Sequence, residues 1–361
     1  MNDSSPVPNS VFVAGAGLCC AVGYQLDAAV CAIRANMDHF QESSFNSLSS
    51  DPVNVARLPQ DIFGQERIHR WIEYAVRDCA QRMEDPESLL DGRRTAIIFL
   101  GPDPARPYSD SINYAQVLHD VLHALGDEGF YGLPPAGSSP RPHAIHMIAQ
   151  GRTGLAEGLL QAARLLVNAE AEQVLIVGGD SYLYAADINA YLQDNRLIVR
   201  GNSNGFIPGE AAAVVLLRRG MSTDVGLHIS GVGMAQENGR QDGSVPSRGQ
   251  GLTTAIRDAL KQARLTPRQI EFRISDQNGE QFFAREAANA ITRIMFGEHK
   301  LAQLTLSDKL GEIGAASGPA MLAWLMRDMA DATLSPGNVG LVHLASDSGA
   351  RCAVALRYQG E

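Results

Sequence analysis

The chain has 361 residues, 45% of them apolar and 19% charged, and carries a net charge of −10. That composition excludes a disordered chain, a collagen or a coiled coil and supplies ample material for a buried core. No apolar run reaches the roughly 18–20 residues that span a bilayer, and no basic cluster marks a nucleic-acid or anionic-membrane surface. The polar start, MNDSSPVPNS, lacks the order of a signal peptide, so a cytoplasmic protein is expected. The five cysteines form no CxxC pair, and an odd count argues against a disulfide framework. No Cys/His spacing fits zinc, so neither a metal nor a cofactor is expected.

In chain order, Val11-Phe12-Val13-Ala14 predicts a strand that ends at a Gly15-Ala16-Gly17 turn, with a helix over 25–35 behind it. The stretch 37–58 is polar and reads as an irregular surface excursion. A helix is predicted over 65–83, a strand over 95–100 and a helix over 111–125, before a Gly/Pro/Ser-rich loop at 128–142. Gly154 then precedes Leu155, Leu159, Ala162, Ala163, Leu166 and Val167, an apolar stripe at helical spacing. Val174-Leu175-Ile176-Val177, closed by Gly178-Gly179, and the run from Ala211 to Leu217 read as fully buried strands. The second half repeats the plan: strands near 227–232, 270–274 and 303–307, helices over 252–264, 280–296 and 319–332, and closing strands near 339–345 and 352–357. Thr266-Pro267 opens a short helical turn, with Thr as N-cap and Pro at the first position. Strands alternating with helices predict α/β layers in two similar halves, 1–220 and 221–361.

Several candidate sites are weak. Gly15-Ala16-Gly17 fails as a dinucleotide fingerprint because its third glycine would fall at Cys20. Cys19 and Cys20 lie next to the predicted buried turn and suit a core role. His143 and His146 could share a metal if helical, and His119 and His123 stand at i, i+4, but neither pair has a third ligand nearby. Ser181 lacks the G-x-S-x-G of a hydrolase elbow.

Five segments taken together resemble the β-ketoacyl synthases of the thiolase-like fold: VFVAGAGLCCAVG, GLLQAARLLVNAEAEQVLIVGGDS, NGFIPGEAAAVVLL, EFRISDQNGEQFFAREAANAITRIMFG and DKLGEIGAASG. Their order is kept over nearly the whole chain. The resemblance implies an α/β fold of two similar βαβαβαβ halves stacked as five layers, αβαβα, and a dimer paired through the first half. It also implies a nucleophilic cysteine at a helix start, which takes an acyl group from a thioester, and two histidines that serve decarboxylation. The cysteine position falls at Gly151 or Arg152, the first histidine position at Asn278, and the second at Glu312. The loop lysine of the family is retained as Lys309, three residues before Glu312 and within reach of an ion pair with it. Gln150 is one residue from the position where chain-length factors carry a glutamine. Phe206, in the NGFIPGE segment, and Ser348, in the altered gate loop 345–350, are the remaining binding positions that the resemblance marks.

Without the cysteine and both histidines, no covalent intermediate forms. The expected protein is a non-catalytic scaffold or adaptor, with a role in loading a bacterial type VI secretion effector as its narrower form. A chain-length-factor-like subunit, paired with an active ketosynthase and an acyl carrier protein, is a second reading. A residual acyltransferase or thioester hydrolase, with Glu312 as base and Lys309 or Asn278 polarising a carbonyl, is a third.

Overall fold

The computed structural model describes residues 11–47, 49–62, 64–107, 112–128 and 143–360. The first half runs β1 (Val11–Cys20), α1 (Leu26–Arg34), β2 (Phe40–Asn46), β3 (Pro52–Ala56), α2 (Gly64–Ala80), β4 (Thr95–Gly101), α3 (Tyr114–Glu128), β5 (Ile145–Ala149), α4 (Gly154–Val167), β6 (Gln173–Ser181), α5 (Ala185–Gln193) and β7 (Glu210–Arg219). The second runs β8 (Gly226–Gln236), α6 (Gln250–Ala263), β9 (Phe272–Ser275), α7 (Gln281–Ile294), β10 (Ala302–Thr305), α8 (Ser307–Leu310), α9 (Ser317–Asp328), β11 (Val339–Ala345) and β12 (Ala350–Gln359).

Ten strands form one sheet in the order β10-β9-β11-β12-β8-β1-β7-β6-β4-β5. It divides into two five-strand sets that meet where Val11 pairs with Ile229 and Phe12 with His228. In the first set β7 runs antiparallel to both β1 and β6, while β6, β4 and β5 are parallel. The second set repeats this pattern strand for strand: β12 runs antiparallel to both β8 and β11, while β11, β9 and β10 are parallel. The duplication that element order suggests is therefore a duplication of pairing and direction as well.

Helices α2 and α3 cover the outer face of the first set, and α6 and α7 that of the second. Between the sets lie α4, which meets β4 and β6 on one side and β8 and β12 on the other, and α9, which meets β1, β6, β7 and β8. The layers stack as αβαβα. Strands with helices on both faces need apolar residues throughout, and this is why β6 and β7 read as unbroken apolar runs.

Three expectations need correction. The stretch 37–58 contains a hairpin, β2 with β3, because Val53 and Val55 alternate inward while β2 keeps polar residues on a half-exposed face. Gly15-Ala16-Gly17 does not turn but lies inside β1, which continues to Cys20. Glycine is required there by packing, since a Cβ at Gly17 would stand 2.0 Å from the Ala75 carbonyl oxygen of α2. His146 lies on strand β5, so it shares no helix face with His143, whose Nε2 bonds the Leu89 carbonyl at 2.8 Å. Of the predicted loop at 128–142, residues 129–142 lie outside the described residues. Among the described residues no helix is long and apolar enough to cross a membrane, and no group of three metal-ligating side chains occurs.

Candidate functional site

The approach to α4 is a tight corner. Residues Gly151–Thr153 make one 3-10 turn between β5 and α4, and Gly151 sits at φ 54°, a region that glycine enters without strain. The corner directs Arg152, only 6% exposed, at the second half of the chain. Two loops of that half meet it. Asn278 lies on the connection from β9 to α7, and Glu312 lies between α8 and a 3-10 turn at Gly314–Ala316. Gly314 admits no side chain, since a Cβ would stand 2.0 Å from Asp180 Oδ2.

Arg152 Nη1 donates to Glu312 Oε2 at 2.9 Å, and Asn278 Nδ2 donates to the same oxygen at 2.8 Å. The other oxygen, Oε1, accepts the Gly314 backbone N–H at 3.0 Å. Arg152 also faces Asp276 at 3.4 Å and Asp347 at 3.8 Å, and its guanidinium lies 4.9 Å from the centre of the Phe283 ring. A second arginine from the first half, Arg196, extends the network. It binds Glu280 through Nε at 2.7 Å and Nη2 at 2.9 Å, and Asp347 through Nη1 at 2.7 Å. Asn278 and Glu280 are themselves bonded at 3.2 Å. Beside this network, Arg106 pairs with Asp180 at 2.7 Å and Asp187 at 3.2 Å. A cavity of 190 Å³ opens above the cluster, lined among others by Asp103, Arg106, Arg152, Tyr182, Arg196 and Asp347.

The electrostatics follow from burial and pairing. Burial disfavours the charge on Arg152, but Glu312, Asp276 and Asp347 outweigh it and hold its pKa above the usual guanidinium value. Burial pushes the Asp276 carboxyl up to about 6 against the opposing pull of Arg152. An arginine offers no nucleophile and gives up no proton. Glu312 has both oxygens engaged by N–H donors. Asp276 has a pKa suited to proton transfer, yet it is 6% exposed, accepts the Ala345 N–H at 2.8 Å and stands beside Arg152.

The structure thus brings Arg152, with its neighbour Gly151, together with Asn278 and Glu312. It does not form the ion pair expected between Lys309 and Glu312. Lys309 pairs with Asp308 instead, because Gly311 at φ 68° ends α8 and turns Glu312 toward Arg152. Gln150 bonds Glu157 of α4 and makes no bond to the cluster. Phe206 is 1% exposed and packs edge-on against Tyr182 and Tyr191 at 5.7 and 5.1 Å, so it supports the aromatic bed under Arg196. Ser348 is exposed in the loop after β11, with its hydroxyl 3.0 Å from that of Ser346. Cys19 and Cys20 are fully buried, and burial raises both thiols, Cys20 to about 12. His119 and His123 sit side by side on α3 with ring centres 4.3 Å apart.

Residue patterns did not single out Asp276, Glu280, Arg196 or Asp347. A signal was present: only Lys261, Lys300 and Lys309 are lysines among the 30 Lys and Arg residues. Arginine keeps its charge when buried and grips carboxylates with a rigid fork, so this bias suits a protein with many internal ion pairs.

The layer order and the repeated strand pairing are those of a thiolase-like fold, the fold of the β-ketoacyl synthases. Solved structures agree. A type II PKS ketosynthase bound to a hexaketide, in complex with its acyl-carrier protein, aligns with a TM-score of 0.75 at 12% identity over 98% of this chain and 100% of that one. A ketosynthase in complex with its chain length factor from Xenorhabdus doucetiae aligns with a TM-score of 0.70 at 15% identity over 99% and 100%. A β-ketoacyl synthase from Burkholderia phymatum STM815 gives 0.70 at 14% identity over 97% and 99%. No protein-family model matches the chain, and no curated protein does.

Proposed function

We propose that this chain is a non-catalytic binding subunit built on the ketosynthase fold. One observation supports the reading: the side chains at the three positions that the resemblance aligns with the catalytic set, Arg152, Asn278 and Glu312, bond to one another. Arg152 and Asn278 both hold Glu312, so an acyl thioester meets neither a nucleophile nor a free base. The partner that suits this fold best is another thiolase-fold subunit, as in the ketosynthase–chain length factor structures that the chain resembles. Strand β5 is consistent with such pairing, since it ends the sheet and leaves Met147 47% exposed.

The test has two parts. Purified protein is incubated with acetyl- and malonyl-coenzyme A and examined by intact-mass spectrometry and a free-thiol assay. No adduct and no thiol release are expected. An adduct, or a turnover that Glu312→Gln abolishes, would overturn the reading in favour of a residual acyltransferase or hydrolase. Tagged protein is then purified gently from the cells that make it. Capture of an active ketosynthase or an acyl carrier protein supports the partner-subunit role. Capture of a type VI secretion effector or its adaptor supports a loading scaffold instead.

A further inference from the structure

Arg273 on β9 stands apart from the other arginines. Among the described residues, every other arginine that is buried or half-buried is ion-paired with a carboxylate. Arg273 is half-buried and has none. Its Nη1 donates to His343 Nε2 at 3.0 Å and its Nη2 to Gln303 Oε1. Both acceptors are neutral. Burial, together with the adjacent Arg273 charge, pushes the His343 pKa down to about 3. The His343 proton therefore stays on Nδ1, and Nε2 is free to accept. Burial also lowers the pKa of Arg273 itself, with no neighbouring anion to offset it.

A second polar group nearby is unsatisfied. Ser275 lies two residues further along β9 and opposite His343 in register, and its Oγ is buried with no hydrogen-bond partner. Side chains alternate across a strand, and Phe272 and Ile274 enter the central core. Arg273 and Ser275 therefore face the outer layer, away from the Glu312 cluster. Strands β9, β10 and β11 run parallel here, and Ser275 and Thr305 close β9 and β10. The group thus sits toward the carboxyl ends of parallel strands, where α/β sheets open to ligands.

A half-buried cation without a counter-charge and a buried hydroxyl without a partner both carry a cost. One oxyanion would supply the missing charge and the missing acceptor. We propose that Arg273 and Ser275 form an oxyanion site on the outer face of the second strand set, for the carboxylate or phosphate group of a small ligand. The site is independent of the Glu312 cluster and of the function proposed for it.

The test uses the full chain at constant ionic strength, with sodium chloride replaced stepwise by sodium phosphate or sodium acetate. The midpoint of thermal unfolding and the arginine Nε–H resonances are followed together. Phosphate is expected to raise Tm by several degrees, in step with the logarithm of its concentration, and to shift the Arg273 resonance. The same response to acetate identifies a carboxylate ligand; a response to phosphate alone identifies a phosphate. Arg273→Gln should abolish both effects, Arg273→Lys should keep part of the Tm rise, and Ser275→Ala should weaken it. If Arg273→Gln does not fold, the wild-type resonance decides. No shift with either anion, or a Tm rise that persists undiminished in Arg273→Gln, would overturn the proposal.

Discussion

The Arg152 guanidinium lies 2.9 Å from the Glu312 carboxylate although 160 positions separate them in the chain. The contact joins the start of α4 in the first half to the loop after α8 in the second. The backbone that brings these positions together is that of a ketosynthase-like fold, and the side chains it carries here neutralise one another. With Asn278, Arg196, Glu280 and Asp347 they tie the two halves together through hydrogen bonds and ion pairs, buried except at Asp347. Such pairs do little for net stability against an apolar alternative, but breaking one strands a charge in a desolvated site.

Arg152→Ala and Glu312→Ala should therefore each lower the free energy of unfolding by about 3–5 kcal/mol. The double variant Arg152→Ala/Glu312→Ala should lose much less than the sum, because it leaves neither of the two charges without the other. Urea unfolding of the four proteins in the cycle measures this. Additive losses would show that the two side chains do not act as a pair.

Asp276 makes stability depend on pH in a defined direction. Its carboxyl titrates near 6 in the folded protein, against about 3.9 in an unfolded chain. Between about pH 4 and 6 the folded protein holds a proton that the unfolded chain has released, so this contribution to stability falls as pH rises. The fall amounts to about 2–3 kcal/mol and is complete near pH 7. Relative to wild type, Asp276→Asn should thus gain about that much on going from pH 4 to pH 7. Urea unfolding at the two pH values checks it, and a difference independent of pH would mean that Asp276 does not titrate in this window.

The layers of this fold were legible because the central strands of both sets are buried on both faces. β6 and β7 are apolar throughout, and α4 carries its stripe at helical spacing. The β2–β3 hairpin was not, since β2 is a mostly polar strand with none of its residues fully buried. Strand β5 escaped notice because its sequence, IHMIA, is short and its burial partial. At the site, family resemblance marked Arg152, Asn278 and Glu312, while the bonds among them depend on long-range geometry. The expected Lys309–Glu312 pair assumed helical spacing across Gly311, where the backbone leaves the helix.

Gly15 and Gly17 separate a packing role from a ligand role for the Gly-Ala-Gly segment. A Cβ at Gly17 would stand 2.0 Å from the Ala75 carbonyl oxygen and 2.8 Å from the Cys79 nitrogen, so α2 would have to move off β1. At Gly15 the nearest atom is Cys79 Sγ at 3.4 Å, an ordinary contact. Gly17→Ala should cost about 3 kcal/mol or more and Gly15→Ala about 1 kcal/mol or less. Equal losses in thermal or urea unfolding would argue against close helix–strand approach as the reason for Gly17.

The two carboxylates that share Arg196 should differ in weight. Glu280 is 2% exposed, binds Arg196 through two nitrogens and also accepts from Asn278 and from Gln241 at 2.9 Å. Asp347 keeps 35% of its side chain open at the rim of the cavity. Water screens the outer pair and relaxes around Arg196 when it is removed, whereas nothing replaces the inner one. Glu280→Ala should then cost about 3–5 kcal/mol, and Asp347→Ala about 1 kcal/mol or less. High salt should narrow the Asp347 effect and leave the Glu280 effect nearly unchanged. Urea unfolding of both variants at low and high sodium chloride gives the comparison, and equal losses would mean that Asp347, rather than burial behind it, holds Arg196 in place.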